Sequence, residues 1–280
     1  MNILKKLIYF IIIILVILGC IWFVKHFFQP KPKISDSQNT SSEEKVASAE
    51  TETPKLETKE KISSYKVPIL MYHYIRDVDK SEGELGANLS VSPAKFDTQM
   101  KWLSDNAYKT VGFQYLLEPY KIANKPIIIT FDDGYRDAYT NAFPILKKYN
   151  FTGVFYIIID SVGKPEYLTW EMIKEMKNAG MQFGSHTLTH PDLRNISASD
   201  LDFQLRKSKE KLDKELGQST TDFCYPAGKY NEDAITALKN IGYKTAVLTS
   251  AGVASEESNL LKLPRQRMQN ETSISKAAGE

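Results

Sequence analysis

The pattern of hydrophobic and polar positions divides the chain into three parts. A run of 18 residues without charge, Leu7–Val24, follows a short basic start. Residues 29–64 then contain no aromatic side chain and are rich in Ser, Thr, Glu and Lys. From Tyr65 onward, short apolar runs alternate with segments in which apolar residues have helical spacing. This alternation predicts a folded domain of residues 65–280.

The apolar run near the start has the character of a membrane-spanning helix. As a helix it would extend roughly 27 Å, close to the hydrocarbon thickness of a bilayer. Residues 17–20 resemble the cleavage motif of bacterial lipoproteins, but the apolar run continues past Cys20, which favours an uncleaved signal anchor over a cleaved lipoprotein signal. We therefore expect residues 1–28 to form a transmembrane helix. Lysines flank both of its ends, so charge indicates its orientation only weakly.

Residues 29–64 are too polar to bury the apolar surface that folding requires. We interpret them as a disordered stalk that holds the domain away from the membrane.

The domain is predicted to belong to the α/β class. About seven repeats of strand and helix imply a parallel sheet with helices outside it, which fits one closed (β/α) barrel, with a doubly wound open sheet as the alternative. In both, the site lies at the carboxyl ends of the strands. The predicted strands are 67–72, 109–111, 126–131, 153–159, 181–184, 221–225, 244–248 and 261–263, and the predicted helices are 92–103, 113–120, 137–149, 169–179, 199–216 and 232–241.

Composition narrows the function classes. The formal charge is +2, with 36 basic and 34 acidic residues, so the chain lacks the broad positive field that nucleic-acid binding requires. There are two cysteines, and because Cys20 lies in the N-terminal apolar run we expect no disulfide with Cys224. Only four histidines occur, which makes the positions of His73, His186 and His190 informative.

Two adjacent carboxylates, Asp132 and Asp133, follow the apolar strand predicted at 126–131. Asp-Gly is a turn signal, so the strand ends there and Gly134 allows both carboxylates to reach one cavity. Burying two acids together would be costly, and a bound cation would relieve that cost. The alternative for this stretch alone is a loop with two solvated acids.

The histidines of His186-Thr-Leu-Thr-His190 lie four residues apart. On a helix they would share a face, whereas Pro191 favours a turn, and either geometry can chelate one ion. The alternative is a pair of loop histidines bonded to the backbone. Adding Asp133 gives two histidines and one carboxylate, which suits catalytic Zn²⁺ and also fits Co²⁺, Fe²⁺ or Mn²⁺. Asp132 could then accept a proton from water, so the pattern indicates metal-assisted acyl hydrolysis.

Two motifs carry a family resemblance. Residues 130–134, Thr-Phe-Asp-Asp-Gly, and residues 186–190, in this order on a chain of βα repeats, resemble the first two motifs of the NodB-homology polysaccharide deacetylases, carbohydrate esterase family 4. The resemblance implies a distorted (β/α) barrel that removes acetyl groups from polysaccharides with a divalent metal. It also implies that Asp132 is the catalytic base and that Asp133, His186 and His190 are the metal ligands.

A third stretch, Phe223–Gly228, resembles the motif that forms one wall of the family's groove, which implies substrate binding by Tyr225, Pro226 and Gly228. Many members place an arginine there to orient the base, and this chain has Cys224 instead.

The end of the chain is a second departure from the family pattern. No histidine follows His190, although many members use a late histidine to protonate the leaving amine. In this respect, and in residues 68–73, the chain resembles the subgroup that contains exopolysaccharide (poly-β-1,6-N-acetylglucosamine) deacetylases. We expect Arg265 to orient Asp132, with an exposed surface charge as the alternative. The general acid is then either protonated Asp132 or His73, and the alternative for His73 is a structural histidine at the end of a strand.

Together these features predict a membrane-anchored, extracytoplasmic N-deacetylase of N-acetylglucosamine polymers, either exopolysaccharide or peptidoglycan, at a bacterial cell surface. We expect it to be a monomer whose partners are the polysaccharide and the membrane. A catalytically impaired binding module of the same fold is the alternative. A glycoside hydrolase fits poorly, because it needs two carboxylates farther apart than adjacent residues.

Overall fold

The computed structural model describes residues 60–122 and 124–280. The predicted membrane anchor and most of the predicted stalk lie outside these residues. Within the described ranges, no helix combines the length and the apolar character that crossing a membrane would need. The last residues of the predicted stalk lie against the domain, where the Ile62 N–H donates to Pro119 O at 3.2 Å and the Lys121 N–H donates to Glu60 O at 2.7 Å.

The elements alternate as an α/β chain. The strands are β1 Lys66–Val67, β2 Ile69–Tyr72, β3 Tyr74–Ile75, β4 Ser90–Val91, β5 Tyr108–Thr110, β6 Lys125–Phe131, β7 Val154–Ile157, β8 Gln182–Ser185, β9 Asp222–Cys224, β10 Thr245–Val247, β11 Ala254–Ser255 and β12 Gln266–Arg267. The helices are α1 Gly83–Leu89, α2 Pro93–Asp105, α3 Gln114–Leu117, α4 Phe143–Lys148, α5 Trp170–Asn178, α6 Ala198–Leu216, α7 Glu232–Ile241 and α8 Ile274–Ala277.

The main sheet has the strand order β10-β9-β8-β7-β6-β2-β12, with β5 also pairing with β6. All of its strand pairs are parallel. This curled parallel sheet with helices fits the predicted (β/α) barrel. Because the strands are parallel, their carboxyl ends gather at one end of the sheet.

The segment 263–267 connects the two edges of this sheet. Leu263 forms a parallel bridge with Val247 of β10, and Gln266–Arg267 then pairs with β2. A strand was expected at 261–263, but only Leu263 is bridged and the two-residue strand lies farther along the chain. Pro264 has no N–H to donate to a ladder, which accounts for the interruption. Arg265 lies at this interruption.

Local sequence explains most helix boundaries. Ser92 and Ser197 cap α2 and α6 by accepting backbone N–H groups, and Gly217 ends α6 in the left-handed conformation. The helix expected over 137–149 is split into a π-helical turn, Ala138–Ala142, and α4. Pro144 causes this, because its ring displaces the carbonyl one turn earlier.

The core lies on both faces of the sheet. Ile127, Ile129 and Phe131 of β6 pack with α2 and α4 in one buried cluster, whereas Ile128 packs with inward residues of the other strands. Side chains along β6 therefore alternate between the two faces of the sheet, and Ile128, Thr130 and Asp132 share the inner face, opposite to the helices. This alternation determines which of the two aspartates points into the sheet's interior.

Candidate active site and metal centre

Asp132 is held by a buried arginine at the carboxyl end of β6. The two terminal guanidinium nitrogens of Arg265 donate to the two carboxylate oxygens of Asp132, each at 2.7 Å. Arg265 is fully buried and Asp132 is 3% exposed. A bidentate pair of this kind fixes both the position and the orientation of the carboxylate.

The rest of the guanidinium is also bonded. Its Nε donates to Leu248 O at 2.8 Å, and Nη1 donates to Thr130 Oγ1 at 3.0 Å. Thr130 in turn donates to Leu70 O at 2.7 Å. Cys224 lies at the same place, with its Sγ 3.5 Å from Asp132 Oδ2 and 3.4 Å from Arg265 Nη2. Arg265 therefore lies where the resemblance expects an orienting arginine, although it comes from a different segment of the chain.

The ion pair controls the charge of Asp132. Burial raises the pKa of this carboxyl, but the charge and hydrogen bonds of Arg265 more than offset burial and hold the pKa well below its usual range. Asp132 is consequently a carboxylate at neutral pH, able to accept a proton.

Asp133 turns away from Asp132 and faces two histidines. Its backbone has a φ of 71°, in the left-handed region, so the chain leaves the strand at this residue. Asp133 Oδ1 lies 3.4 Å from His186 Nε2 and 3.7 Å from His190 Nε2. One ligand atom from each of these residues lies within 4.8 Å of the others.

The histidine stretch is a turn and not a helix. Thr187 and His190 have φ values of 66° and 63°, and the His190 N–H donates to Thr187 Oγ1 at 2.9 Å. Gln204 of α6 supports the turn, because its Oε1 accepts from the N–H groups of Leu188 and Thr189. Of the two geometries left open by the sequence, the turn is the observed one.

His186 has a fixed orientation. Its Nδ1 is 2.7 Å from Cys224 O, which makes Nδ1 the donor and leaves Nε2 facing Asp133. Such a hydrogen bond to the non-coordinating nitrogen is the usual support of a metal-ligating histidine. Asp133, His186 and His190 thus form the donor set that the sequence predicted, and its two nitrogens and one oxygen fit a divalent transition metal.

His73 lies at the end of β2, beside Asp132. Its Nε2 is 3.8 Å from Asp132 Oδ2, and its side chain is 12% exposed. Burial lowers the pKa of His73, and the negative charge of Asp132 only partly offsets this. The lowered pKa favours the neutral form of His73. A neutral His73 has no extra proton to give, so it could act as an acid only after it has received a proton from Asp132.

The three residues predicted for substrate binding lie in the turn that directly follows β9. The Tyr225 side chain is fully buried and its hydroxyl donates to Leu261 O at 3.0 Å, so its ring offers no surface on which a sugar could stack. Pro226 is also buried. Gly228 has a φ of 69°, and a Cβ there would lie 2.2 Å from Thr249 Oγ1, so this position requires glycine for packing. Tyr225 and Pro226 are thus buried and Gly228 is required by packing, and substrate binding at these positions stays a prediction.

Thr130 and Gln204 are contributors that the sequence alone did not single out. Thr130 belongs to the first motif, and its inward register on β6 is the signal that could have identified it. Gln204 lies on α6, and nothing in its local sequence indicates that it supports the His186–His190 turn.

The Asp132 carboxylate, held by Arg265, lies beside the Asp133-His186-His190 donor set at the carboxyl ends of a parallel sheet. This arrangement suits metal-assisted hydrolysis. Residues 120–246 match the family profile described as Polysaccharide deacetylase. The chain is 35% identical to YxkH of Bacillus subtilis over 86% of this chain and 84% of that protein. It belongs to the polysaccharide deacetylase family.

Two other similarities are of comparable extent. The chain is 30% identical to the poly-beta-1,6-N-acetyl-D-glucosamine N-deacetylase of Staphylococcus aureus, over 79% of this chain and 83% of that protein. The structure of the Streptococcus pyogenes deacetylase PplD in complex with acetate superposes with a TM-score of 0.71 at 36% identity, covering 75% of this chain and 95% of that chain.

Proposed function

We propose that this polysaccharide deacetylase is an extracytoplasmic, divalent-metal-dependent enzyme that hydrolyses the acetamide groups of N-acetylglucosamine polymers to free amine and acetate. The observation that carries the proposal is the division of the two adjacent aspartates. Asp132 is kept ionised by Arg265, while Asp133 faces His186 and His190.

The chain's own residues supply a route for the proton. When bound, a divalent metal would lower the pKa of a water molecule and polarise the acetyl carbonyl. Asp132 is a positioned carboxylate that would accept a proton from a water molecule at the site. Arg265 holds the carboxylate in place, so no reorganisation of the base is needed during the reaction. The proton on Asp132 is then delivered to the leaving nitrogen, either directly or through His73 at 3.8 Å.

The same geometry supports catalysis over the binding-module alternative. The absence of an arginine at Cys224 suggested an impaired site, but Arg265 provides the two hydrogen bonds to Asp132. A buried ion pair is costly to retain, and binding of a polysaccharide alone would not require an ionised, buried Asp132.

Removing the metal tests the proposal directly. We expect that treating the full-length chain with a chelator lowers acetate release from N-acetylglucosamine polymers to that of an Asp132→Asn variant. Adding Zn²⁺ or Co²⁺ should restore it, because Asp133, His186 and His190 are the proposed ligands.

The assay should include β-1,6 poly-N-acetylglucosamine, peptidoglycan and chitin oligomers in parallel, since all three share the acetamide. Full activity after complete metal removal would refute metal dependence, and release of reducing ends without acetate would refute deacetylation.

A comparison of two substrates tests His73 as the proton relay. We expect His73→Ala to lower kcat for an acetamide substrate by about 10²-fold or more, the usual contribution of a general acid. Hydrolysis of 4-nitrophenyl acetate should change much less, because the nitrophenolate leaves without a proton. Equal losses with both substrates would instead mean that His73 only supports the site, and no loss with either would leave Asp132 as both base and acid.

The proposed location rests on the proposed substrate and on the predicted anchor. Cell-wall and exopolysaccharide polymers lie outside the cytoplasmic membrane, where a domain on a stalk of residues 29–64 could reach them. The name of the Staphylococcus aureus relative supports β-1,6-linked poly-N-acetylglucosamine as the first polymer to assay.

A further inference from the structure

The turn that carries His190 has a strained backbone. Thr187 and His190 both lie in the left-handed region, with φ values of 66° and 63°. This region is costly for residues other than glycine, and a β-branched residue such as Thr187 rarely adopts it. Such a conformation persists only where surrounding contacts hold it. The contacts of residues 187–190 therefore decide whether the proposed donor set is in place before a metal binds.

The two histidines are held in different ways. His186 is fixed through its ring, because its Nδ1 lies 2.7 Å from Cys224 O. The side chain of His190 is 35% exposed, and the hydrogen bond from His190 to Thr187 Oγ1 is made by its backbone N–H. The position of the His190 ring therefore depends on the conformation of the turn between the two histidines.

The peptide groups of this turn are bonded on two sides. The backbone N–H groups of residues 159 and 160 donate to the carbonyl oxygens of residues 187 and 188, at 3.2 and 3.0 Å. The N–H groups of the turn converge on one side chain instead. Gln204 Oε1 accepts from the Leu188 N–H at 3.0 Å and from the Thr189 N–H at 3.1 Å.

The other polar atom of the same side chain is also used. Gln204 Nε2 donates to Thr189 Oγ1 at 3.0 Å, so the amide group of Gln204 makes three hydrogen bonds to two consecutive residues of the turn. No other type of side chain of this length supplies an acceptor and a donor together without charge. Gln204 thus fixes the middle of the turn, between the two strained residues.

Helix α6 is itself attached to the strand that leads into His186. Ser208 Oγ lies 2.7 Å from Ser185 Oγ, and both residues are fully buried. Residues four apart on a helix lie on the same face, so Gln204 and Ser208 share one face of α6. The end of β8 and the turn after it are therefore held by one rigid element.

We infer that Gln204 is a positioning residue that holds the 186–190 turn in its metal-binding conformation and thereby sets the affinity of the donor set for a divalent metal. This inference rests on the proposed function, in which His186 and His190 are metal ligands. Gln204 acts on His190 through the backbone of Leu188 and Thr189. Loss of a group that orients metal ligands typically lowers metal affinity by about 10–100-fold.

The metal affinity of matched variants tests this role. We expect Gln204→Met to raise the Kd for Zn²⁺ by about tenfold or more, measured on the folded full-length chain by competition with a chromogenic chelator. Methionine resembles glutamine in length and helix propensity but lacks a strong acceptor. Water can bond the freed N–H groups but cannot fix the turn. Gln204→Glu keeps an acceptor and should recover most of the affinity.

A second substitution on the same helix is the control. Lys207 is exposed and pairs only with exposed Glu210, so Lys207→Met should leave the Kd for Zn²⁺ unchanged. Gln204 is only partly buried, and both replacements at this position are good helix formers, so we expect all of these variants to fold.

Hydrogen exchange in the metal-free protein gives a second readout. We expect the amide hydrogens of Leu188 and Thr189 to exchange faster in Gln204→Met than in the parent chain and at near-parent rates in Gln204→Glu. Amides within α6 should exchange alike in all three proteins, because the change is confined to the turn.

The outcomes distinguish this inference from the proposed function. Equal Kd values for the parent chain and Gln204→Met would overturn the positioning role and leave the metal centre intact. A lowered melting temperature with an unchanged Kd would also overturn it, because a residue that only stabilises the fold gives that result. A parent chain that binds no divalent metal would refute the proposed metal centre itself, and the role of Gln204 with it.

Discussion

Acetate release by an Asp132→Asn variant is expected to fall about 10²–10⁴-fold, the range for removal of a positioned general base. An amide of the same shape cannot accept the proton, whereas its oxygen can still accept a hydrogen bond from Arg265. The measurement is acetate released per mole of folded protein, with the metal content determined on the same preparation. We expect the metal content to equal that of the parent chain, because Asp132 is bonded to Arg265 and is not one of the three proposed ligands.

The adjacent aspartate provides the matched control. Asp133→Asn makes the same chemical change one residue along the chain, but it weakens a proposed metal ligand, so activity and metal content should fall together. Added Zn²⁺ should rescue part of the Asp133→Asn loss and none of the Asp132→Asn loss. Activity retained by Asp132→Asn, or metal loss of equal size in both variants, would contradict the division of roles.

Periodicity identified the sheet because its strands are buried on both faces. The observed β2 and β7 lie within the apolar runs at 67–72 and 153–159, and β6 extends the run at 126–131 by Lys125 alone. A strand that is buried on both faces has an almost continuous apolar sequence, so an apolar run bounded by turn residues indicates such a strand. Helix ends were predictable where a local signal exists, as at Ser92 and Gly217.

Elements defined by distant contacts gave no local signal. Helix α1 lies in a polar stretch without helical periodicity, and the paired segment 266–267 is only two residues long. The pairing of residues 263–267 depends on the positions of β2 and β10 in the folded sheet. The pattern of apolar residues along the sequence carries no information about these positions. The π-helical turn at 138–142 was indicated only by the presence of Pro144.

The sequence predicted the proposed metal ligands but not the groups that hold these ligands in place. The scarcity of histidines pointed to His186 and His190, and the resemblance of the Thr130–Gly134 motif to the family's first motif added Asp133 as the third ligand. The support from Gln204 and Cys224 O comes from other segments and depends on tertiary structure. For Tyr225 the residue type suggested a contact with a sugar, but the structure shows that its ring is buried. Whether an aromatic ring faces a groove or the core depends on tertiary structure.

Arg265 is the residue whose loss should change both stability and pH dependence. Arg265→Met leaves Asp132 as a buried carboxylate without a partner, a change that typically costs about 3–5 kcal/mol of stability. In the parent chain Arg265 keeps the pKa of Asp132 low, so the stabilisation is present above the pKa of an unfolded aspartate and is lost as pH falls. In the variant burial alone would raise this pKa. The free energy of unfolding in urea should therefore differ more between variant and parent at pH 8 than at pH 5.

The same shift should move the acidic limb of kcat/KM to higher pH in Arg265→Met, because the base is protonated over a wider range. Arg265→Lys keeps the charge but cannot form two parallel hydrogen bonds, so it should recover stability more than activity. The Asp132→Asn/Arg265→Met protein should lose less stability than the sum of the single variants, because neither buried charge remains. Additive losses, or an acidic limb that does not move, would show that Arg265 packs beside Asp132 without controlling its ionisation.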